Sequence, residues 1–293
     1  MAAEHEIQLH ADTRADAEAA ANAAIADIAR IEAKYSRYRD DSVTMRINRA
    51  AGGAPVAIDA ETAALLQYAD HCFQLSEGRF DITSGVLRRA WNFAARPPRL
   101  PSTKEVADAQ ALIGWPRVEW DAKAIRLPQT GMEIDFGGIG KEYAADRAAA
   151  ICVDRGIAHG LVNLGGDVRA IGGRPDGSPW RIGIRNPRAP DRVIAGLDVM
   201  SGALATSGDY ERYFEVGGRR YCHIVDPRTG TPVMHWRSVS VVAPLCVVAG
   251  SCATIAMLLE ERAVEFLASQ RFDYCAVDRD GTLHRPAASA AST

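Results

Sequence analysis

The sequence predicts an α+β fold of mixed sheets with packed helices, and three observations lead there. Strand-like and helix-like patterns follow one another irregularly, without the regular strand–helix–strand units of a parallel sheet. No internal repeat is present, and one long apolar helix runs from about Val247 to Leu259 within an otherwise strand-rich second half. With 293 residues, 47% of them hydrophobic, the chain buries a full core. The expected organisation is a single domain over 1–285, with two subdomains meeting near 96–102 as its internal division. The small, polar stretch 286–293 is expected to be a flexible tail.

Along the chain, Ile7 to His10 reads as a short strand. Thr13 with Asp16 resembles a capping box opening a helix whose inward stripe is Ile25, Ile28, Ile31 and Tyr35. Asp59 starts a second helix carrying Leu65, Leu66, Ala69, Cys72 and Phe73, and Ser102 with Glu105 caps a third. The Arg96-Pro97-Pro98-Arg99 loop between them is the best internal boundary. Val118 to Leu127 reads as a hairpin, Glu133 to Phe136 as a strand, and Lys141 to Arg155 as an Ala-rich helix ending at Gly156. Later turns are expected at Gly165-Gly166, Gly172-Gly173, Gly217-Gly218 and Asp280-Gly281.

Composition excludes several classes of function. Lys plus Arg total 34 against 37 Asp plus Glu, a formal charge of −3, and no basic run stands out, so nucleic acid is not the partner. No apolar stretch approaches the roughly 20 residues a membrane helix needs, so the chain is not an integral membrane protein. Met1 to His10 lacks the basic start and apolar centre of a secretory leader, which predicts a cytoplasmic protein, although an exported form with its leader removed has the same appearance. The six cysteines form no CxxC pair and read as buried structural thiols.

Three segments carry candidate chemistry. In Ile134 to Asp146, glycines lie between a strand and a helix, where backbone amides, the helix start and the Lys141 ammonium suit an anion, though the Walker A spacing is missing. Such a turn is also ordinary punctuation. In Asn163-Leu164-Gly165-Gly166-Asp167-Val168-Arg169, an amide, a carboxylate and a guanidinium stand side by side at a bulge or hairpin turn. In the third, His223 is read in a strand just before a Pro-Gly turn, as a general base near neutral pH or a structural histidine.

These segments, with Tyr38-Arg39-Asp40-Asp41-Ser42, Ile47-Asn48, Phe80-Asp81-Ile82-Thr83 and Thr206-Ser207-Gly208-Asp209-Tyr210, occur in an order that resembles the ApbE family of FAD:protein FMN transferases. The resemblance runs from about Met1 to Leu259. It implies an ApbE-like, T-fold-related domain that binds FAD and uses Mg²⁺ to move FMN onto a Ser or Thr of an acceptor flavoprotein, with release of AMP. Carried over by motif, Met1, Tyr38, Arg79, Phe80, Asp81, Asp135, Lys141 and Val225 contact FAD, and His223 is the base for the acceptor hydroxyl. Met1 in that role implies that little precedes the domain.

For the metal, the resemblance implies carbonyls of Gly138 and Ala253 and the hydroxyl of Thr254, together with an Asp four residues before that threonine. Here the segment reads Ala249-Gly250-Ser251-Cys252-Ala253-Thr254, so Gly250 stands where the acid is expected. Mg²⁺ favours at least one carboxylate beside phosphates and water, so the site is expected to be weakened unless FAD or another acid compensates. Nothing from Ala243 to Leu259 is acidic, which leaves Asp209 and Asp226 as the candidates. The alternatives to transfer are an FAD-binding protein or an FAD pyrophosphatase. An unrelated phosphate-binding α+β protein accounts for the glycines and Lys141 but not for Asp81 and His223 in their contexts.

Overall fold

A computed structural model of the chain describes residues 4–286; Met1 and the tail beyond Pro286 lie outside the described residues. The first elements are β1 (His5–His10), α1 (Arg14–Tyr35), α2 (Val43–Arg49), β2 (Val56–Ala57), α3 (Ala60–Leu75) and α4 (Thr103–Gln110). Next come β3 (Glu119–Trp120), β4 (Ala124–Arg126), α5 (Gly140–Asp154), β5 (His159–Leu164), β6 (Asp167–Ile171), β7 (Trp180–Asn186) and β8 (Ala189–Val199). The chain continues through β9 (Gly202–Gly208), β10 (Tyr213–Val216), β11 (Arg219–Cys222), β12 (Val225–Asp226) and β13 (Thr231–Pro232). The last elements are β14 (Trp236–Ala243), α6 (Cys246–Leu259), α7 (Ala263–Gln270), β15 (Asp273–Asp278) and β16 (Leu283–His284). Contacts divide the chain into two compact units, residues 1–30, 139–210 and 234–293 in the first, and 31–138 and 211–233 in the second. The loop at 96–102 therefore lies inside the second unit.

The first unit is built on a seven-stranded sheet of order β1-β5-β6-β9-β14-β15-β16, antiparallel at every junction. Strand β5 alternates partly and fully buried residues, as a half-covered sheet requires, and its Val162 and Leu164 are fully enclosed. Helix α5 packs on β5 and β6, while α6 packs on β9, β14 and α5. Almost every residue of α6 is buried, which is why its sequence is apolar all round. The β7–β8 hairpin adds Ile184 and Ala195 to a core with Leu204 and Cys275.

In the second unit, α3 begins at Asp59, whose carboxylate accepts the Thr62 amide at 2.9 Å, and buries Leu65, Leu66, Ala69 and Cys72. Helix α4 has the full Ser102–Glu105 capping box. Strands β2, β4 and β3 form a small sheet, and the hairpins β10–β11 and β12–β13 lie in the same unit. Trp91, Phe93, Phe214 and Tyr221 form an aromatic cluster with centroid separations of 5.5–6.4 Å.

Three local expectations change. The buried face of α1 is Ala20, Ala24, Ile28, Ile31 and Tyr35, whereas Ile25 is 53% exposed; the small alanines continue the stripe that the larger isoleucine had been given. Helix α2 was not anticipated, although Ser42 caps it by accepting the Met45 amide at 3.0 Å. Residues 133–136 are extended but belong to no sheet. Ile134 bonds to a side chain instead, the Asn48 amide accepting from Ile134 N at 2.7 Å and donating to Ile134 O at 3.0 Å, while Asp135 N donates to Ile82 O at 2.9 Å. One asparagine thus satisfies the Ile134 groups a neighbouring strand would otherwise pair.

Candidate active site

In the first unit the candidate cluster grows from the N-terminus of α5. The helix opens after Ile139 without a side-chain cap, so its first amides carry no internal acceptor. Lys141 forms a close ion pair with Asp167 at the start of β6 and also donates to Leu164 O at 3.3 Å. Asp167 accepts the Thr206 amide at 3.1 Å, which ties the β5–β6 turn to β9. That turn is the Gly165-Gly166 pair, with φ of 63° and 95°, the left-handed backbone that glycine adopts without strain.

The next residue of α5, Glu142, is buried with its side chain 10% exposed, and its Oε1 lies 3.9 Å from Lys141 Nζ. Its Oε2 has no hydrogen-bond donor. Burial and the neighbouring Asp167 carboxylate raise its pKa to about 8. One turn along, Asp146 accepts the amides of Cys246 and Val247 at 2.8 and 2.9 Å, capping α6 from α5, and pairs with Arg169 at 3.1 Å. Glu142 and Asp146, four residues apart, therefore share the face of α5 turned toward α6.

Opposite Glu142 stands Gly250. A Cβ placed there would lie 2.6 Å from Glu142 Cγ and 3.1 Å from its Oε1. Thr254, four residues on and on the same face of α6, shares a 2.7 Å hydrogen bond with Ser207. Ala253 is fully buried. Of the two acids expected to compensate for Gly250, Asp209 is held by Arg188 at 2.6–2.7 Å, and Asp226 lies 3.5 Å from Arg79. Glu142 was missed in the sequence; its signal was the four-residue spacing to Asp146 on an alanine-rich helix.

In the second unit Asp135 forms a close ion pair with Arg37, which also donates to the Tyr38 hydroxyl at 2.7 Å and lies 4.8 Å from that ring's centroid. The Tyr38 side chain is otherwise open to solvent, 77% exposed. Arg79 lies 3.5 Å from Asp226, and its Nε and Nη1 lack hydrogen-bond acceptors. Phe80 is buried, with its ring edge 3.1 Å from where a Gly138 Cβ would stand. Asp81 is buried and accepts from Thr83 N, Thr83 Oγ1 and Trp115 N at 2.7, 2.6 and 3.1 Å. Burial raises its pKa against those donors. Val225 packs against the aromatic cluster.

His223 sits at a bend between β11 and β12, not within a strand. Its amide donates to Arg212 O at 2.9 Å, and its Nδ1 is buried without a partner. Burial, reinforced by the Arg212 and Arg37 charges, lowers its pKa to about 4, so the ring is neutral near pH 7. A neutral imidazole is able to accept a proton.

The sequence model of the ApbE family matches residues 1–277. This chain belongs to the ApbE family. Among its relatives is an FAD:protein FMN transferase of Vibrio cholerae, 34% identical over 236 residues that span 79% of this chain and 71% of the relative. A crystal structure of the ApbE protein of Thermotoga maritima matches with a TM-score of 0.87 at 33% identity, covering 95% of this chain and 93% of that one. The apo flavinyl transferase ApbE of Pseudomonas stutzeri gives 0.85 at 28% identity, covering 96% and 90%. Mixed helices and antiparallel sheets are thus the ApbE architecture, as expected.

No group of three or more His, Cys, Asp or Glu side chains arranged for a metal occurs among the described residues. The acids at the start of α5 and β6 nevertheless have a chemistry that fits a small hard cation. Glu142 Oε2 is buried without a hydrogen-bond partner, and Lys141 is the one ammonium beside both Glu142 and Asp167. A cation with oxygen ligands and phosphate partners suits that charge balance better than an all-protein cage does.

Proposed function

We propose that this protein transfers the FMN half of FAD to a Ser or Thr hydroxyl of an acceptor flavoprotein, releasing AMP, in a Mg²⁺-dependent reaction. The observation that carries the proposal is the ApbE match across residues 1–277. In this reaction the acceptor oxygen forms a bond to the FMN phosphorus while the bond from that phosphorus to the bridging oxygen breaks, and AMP leaves with the electron pair. His223 takes the hydroxyl proton on its neutral ring. Lys141 and the uncapped first turn of α5 hold pyrophosphate oxygens. Tyr38, Arg79, Phe80, Asp81, Asp135 and Val225 contact or position FAD. Asp81 acts through the backbone it organises, since its oxygens are taken up by Thr83 and Trp115.

The Gly138 and Ala253 carbonyls and the Thr254 hydroxyl are the expected metal donors. Mg²⁺, when bound, supplies neutralisation of charge on the transferring phosphate. The remaining contribution of the chain is alignment of the acceptor oxygen with that phosphorus. No helix among the described residues is long and apolar enough to cross a membrane. Six buried cysteines support a cytoplasmic site of action, where thiols stay reduced.

Incubation with FAD, Mg²⁺ and an acceptor carrying a Ser/Thr target is expected to yield a covalently fluorescent acceptor and one AMP per flavin attached. Tight FAD binding with neither product, across several acceptors and divalent metals, would leave only the FAD-binding reading. AMP and free FMN without acceptor labelling would identify a pyrophosphatase.

A further inference from the structure

We propose that the Glu142 carboxylate, laid over Gly250, is the acidic ligand of the divalent cation, and that Gly250 is the space this carboxylate requires. The inference rests on the Mg²⁺-dependent reading above and assigns the carboxylate which the α6 sequence lacks.

Four observations converge on it. Gly250 is buried in the middle of α6, where glycine costs about 1 kcal/mol relative to alanine, so its presence calls for a packing reason. That reason is steric: the Glu142 Cγ lies 2.6 Å from the point a Cβ would occupy, closer than side-chain carbons approach. The Glu142 carboxylate therefore fills the volume into which an acid at position 250 would project. Its Oε1 is 3.1 Å from the same point, while Oε2 is buried with no donor.

The other cationic groups nearby are already committed. Lys141 is paired with Asp167 and bonded to Leu164 O, and Arg169 is paired with Asp146. Glu142 and Asp167 thus stand beside a single ammonium, and a buried acid oxygen without a hydrogen-bond partner is costly unless a cation meets it. Thr254 lies one helical turn from Gly250 on the same face of α6, so the Glu142 carboxylate and the Thr254 hydroxyl flank one stretch of that helix.

The test is Mn²⁺ uptake by the full-length protein, read by electron paramagnetic resonance and calorimetry, with metal alone and with FAD but no acceptor. Wild-type protein is expected to bind one Mn²⁺. Glu142→Gln, isosteric and neutral, is expected to weaken binding by at least the roughly tenfold that loss of even an outer partner of a metal costs. The exchanged variant Glu142→Gly with Gly250→Asp returns the acid to α6, removes the collision and is expected to regain most of that affinity. Circular dichroism and melting temperature establish that each variant is folded.

Glu142→Gln binding Mn²⁺ as wild type does would overturn this assignment and leave the transferase reading intact. A folded exchanged variant as weak as Glu142→Gln would also overturn it, because position 250 would then not be equivalent. Wild-type protein taking up no Mn²⁺, with or without FAD, would overturn both this assignment and the metal-dependent reading.

Discussion

His223 combines a ring nitrogen that has no partner with a location beside two arginines, Arg212 and Arg37. Its folded pKa of about 4 lies below the ordinary 6.5, so the unfolded chain takes up a proton first as pH falls. The histidine's contribution to stability is complete above pH 6.5 and is lost as pH falls through 4; by pH 5 about 2 kcal/mol has gone. Relative to His223→Gln, in which the other titrating groups are the same and cancel, wild-type protein should lose about that much stability between pH 7 and pH 5, measured by urea unfolding at each pH. As the base, the same residue places the acid limb of kcat/KM near pH 4, since that ratio reports the free enzyme. His223→Ala should abolish transfer while FAD still binds, measured by flavin fluorescence quenching. Loss of FAD binding in that variant would reassign His223 from base to binding residue.

At the scale of elements, α5 and α6 are joined by an acidic ladder: Asp146 caps Cys246 and Val247, and Glu142 covers Gly250. Two opposing magnitudes decide what Gly250→Ala does. Helix propensity favours alanine by about 1 kcal/mol, whereas overpacking a filled interior costs about 1–3 kcal/mol. With a 2.6 Å approach to Glu142 Cγ, the overpacking dominates, and a net loss of up to about 2 kcal/mol is expected. In a Glu142→Ala background the obstruction is gone, and the same change should become stabilising by about 1 kcal/mol. A double-mutant cycle by chemical denaturation checks this reversal of sign. Effects of Gly250→Ala that are equal in the two backgrounds would mean that Glu142 does not occupy the space above Gly250.

For the whole molecule, all six cysteines, Cys72, Cys152, Cys222, Cys246, Cys252 and Cys275, are buried. Burial raises the pKa of Cys152, Cys246 and Cys275, which keeps those thiols protonated and slow to react. A thiol reagent is therefore expected to label none of them rapidly in the native protein and all six in denaturant, each label reporting local or global opening. Rapid labelling of a single cysteine in the native state would identify an unfolding segment that the burial pattern does not anticipate.

Much of this architecture was legible because its signals are local. The Asp59 cap, the Ser102–Glu105 box, the glycine turns and the apolar run of α6 each depend on neighbours within a few residues. The segment 133–136 was misread as a strand because an alternating stretch, Glu-Ile-Asp-Phe, looks the same whether a strand or the Asn48 side chain and Ile82 satisfy its backbone. His223 was assigned to a strand for the same reason, since the bend beside it depends on the hairpins on either side.

The sequence by itself determined the α+β class, the family motifs, Lys141 and His223 as chemical groups, and the absence of an acid in the 246–259 helix. Only the tertiary structure brought an acid, Glu142, over Gly250. Glu142 and Gly250 are more than a hundred positions apart, and no periodicity relates them; the packing of α5 on α6 does, because the volume one residue gives up is the volume the other fills.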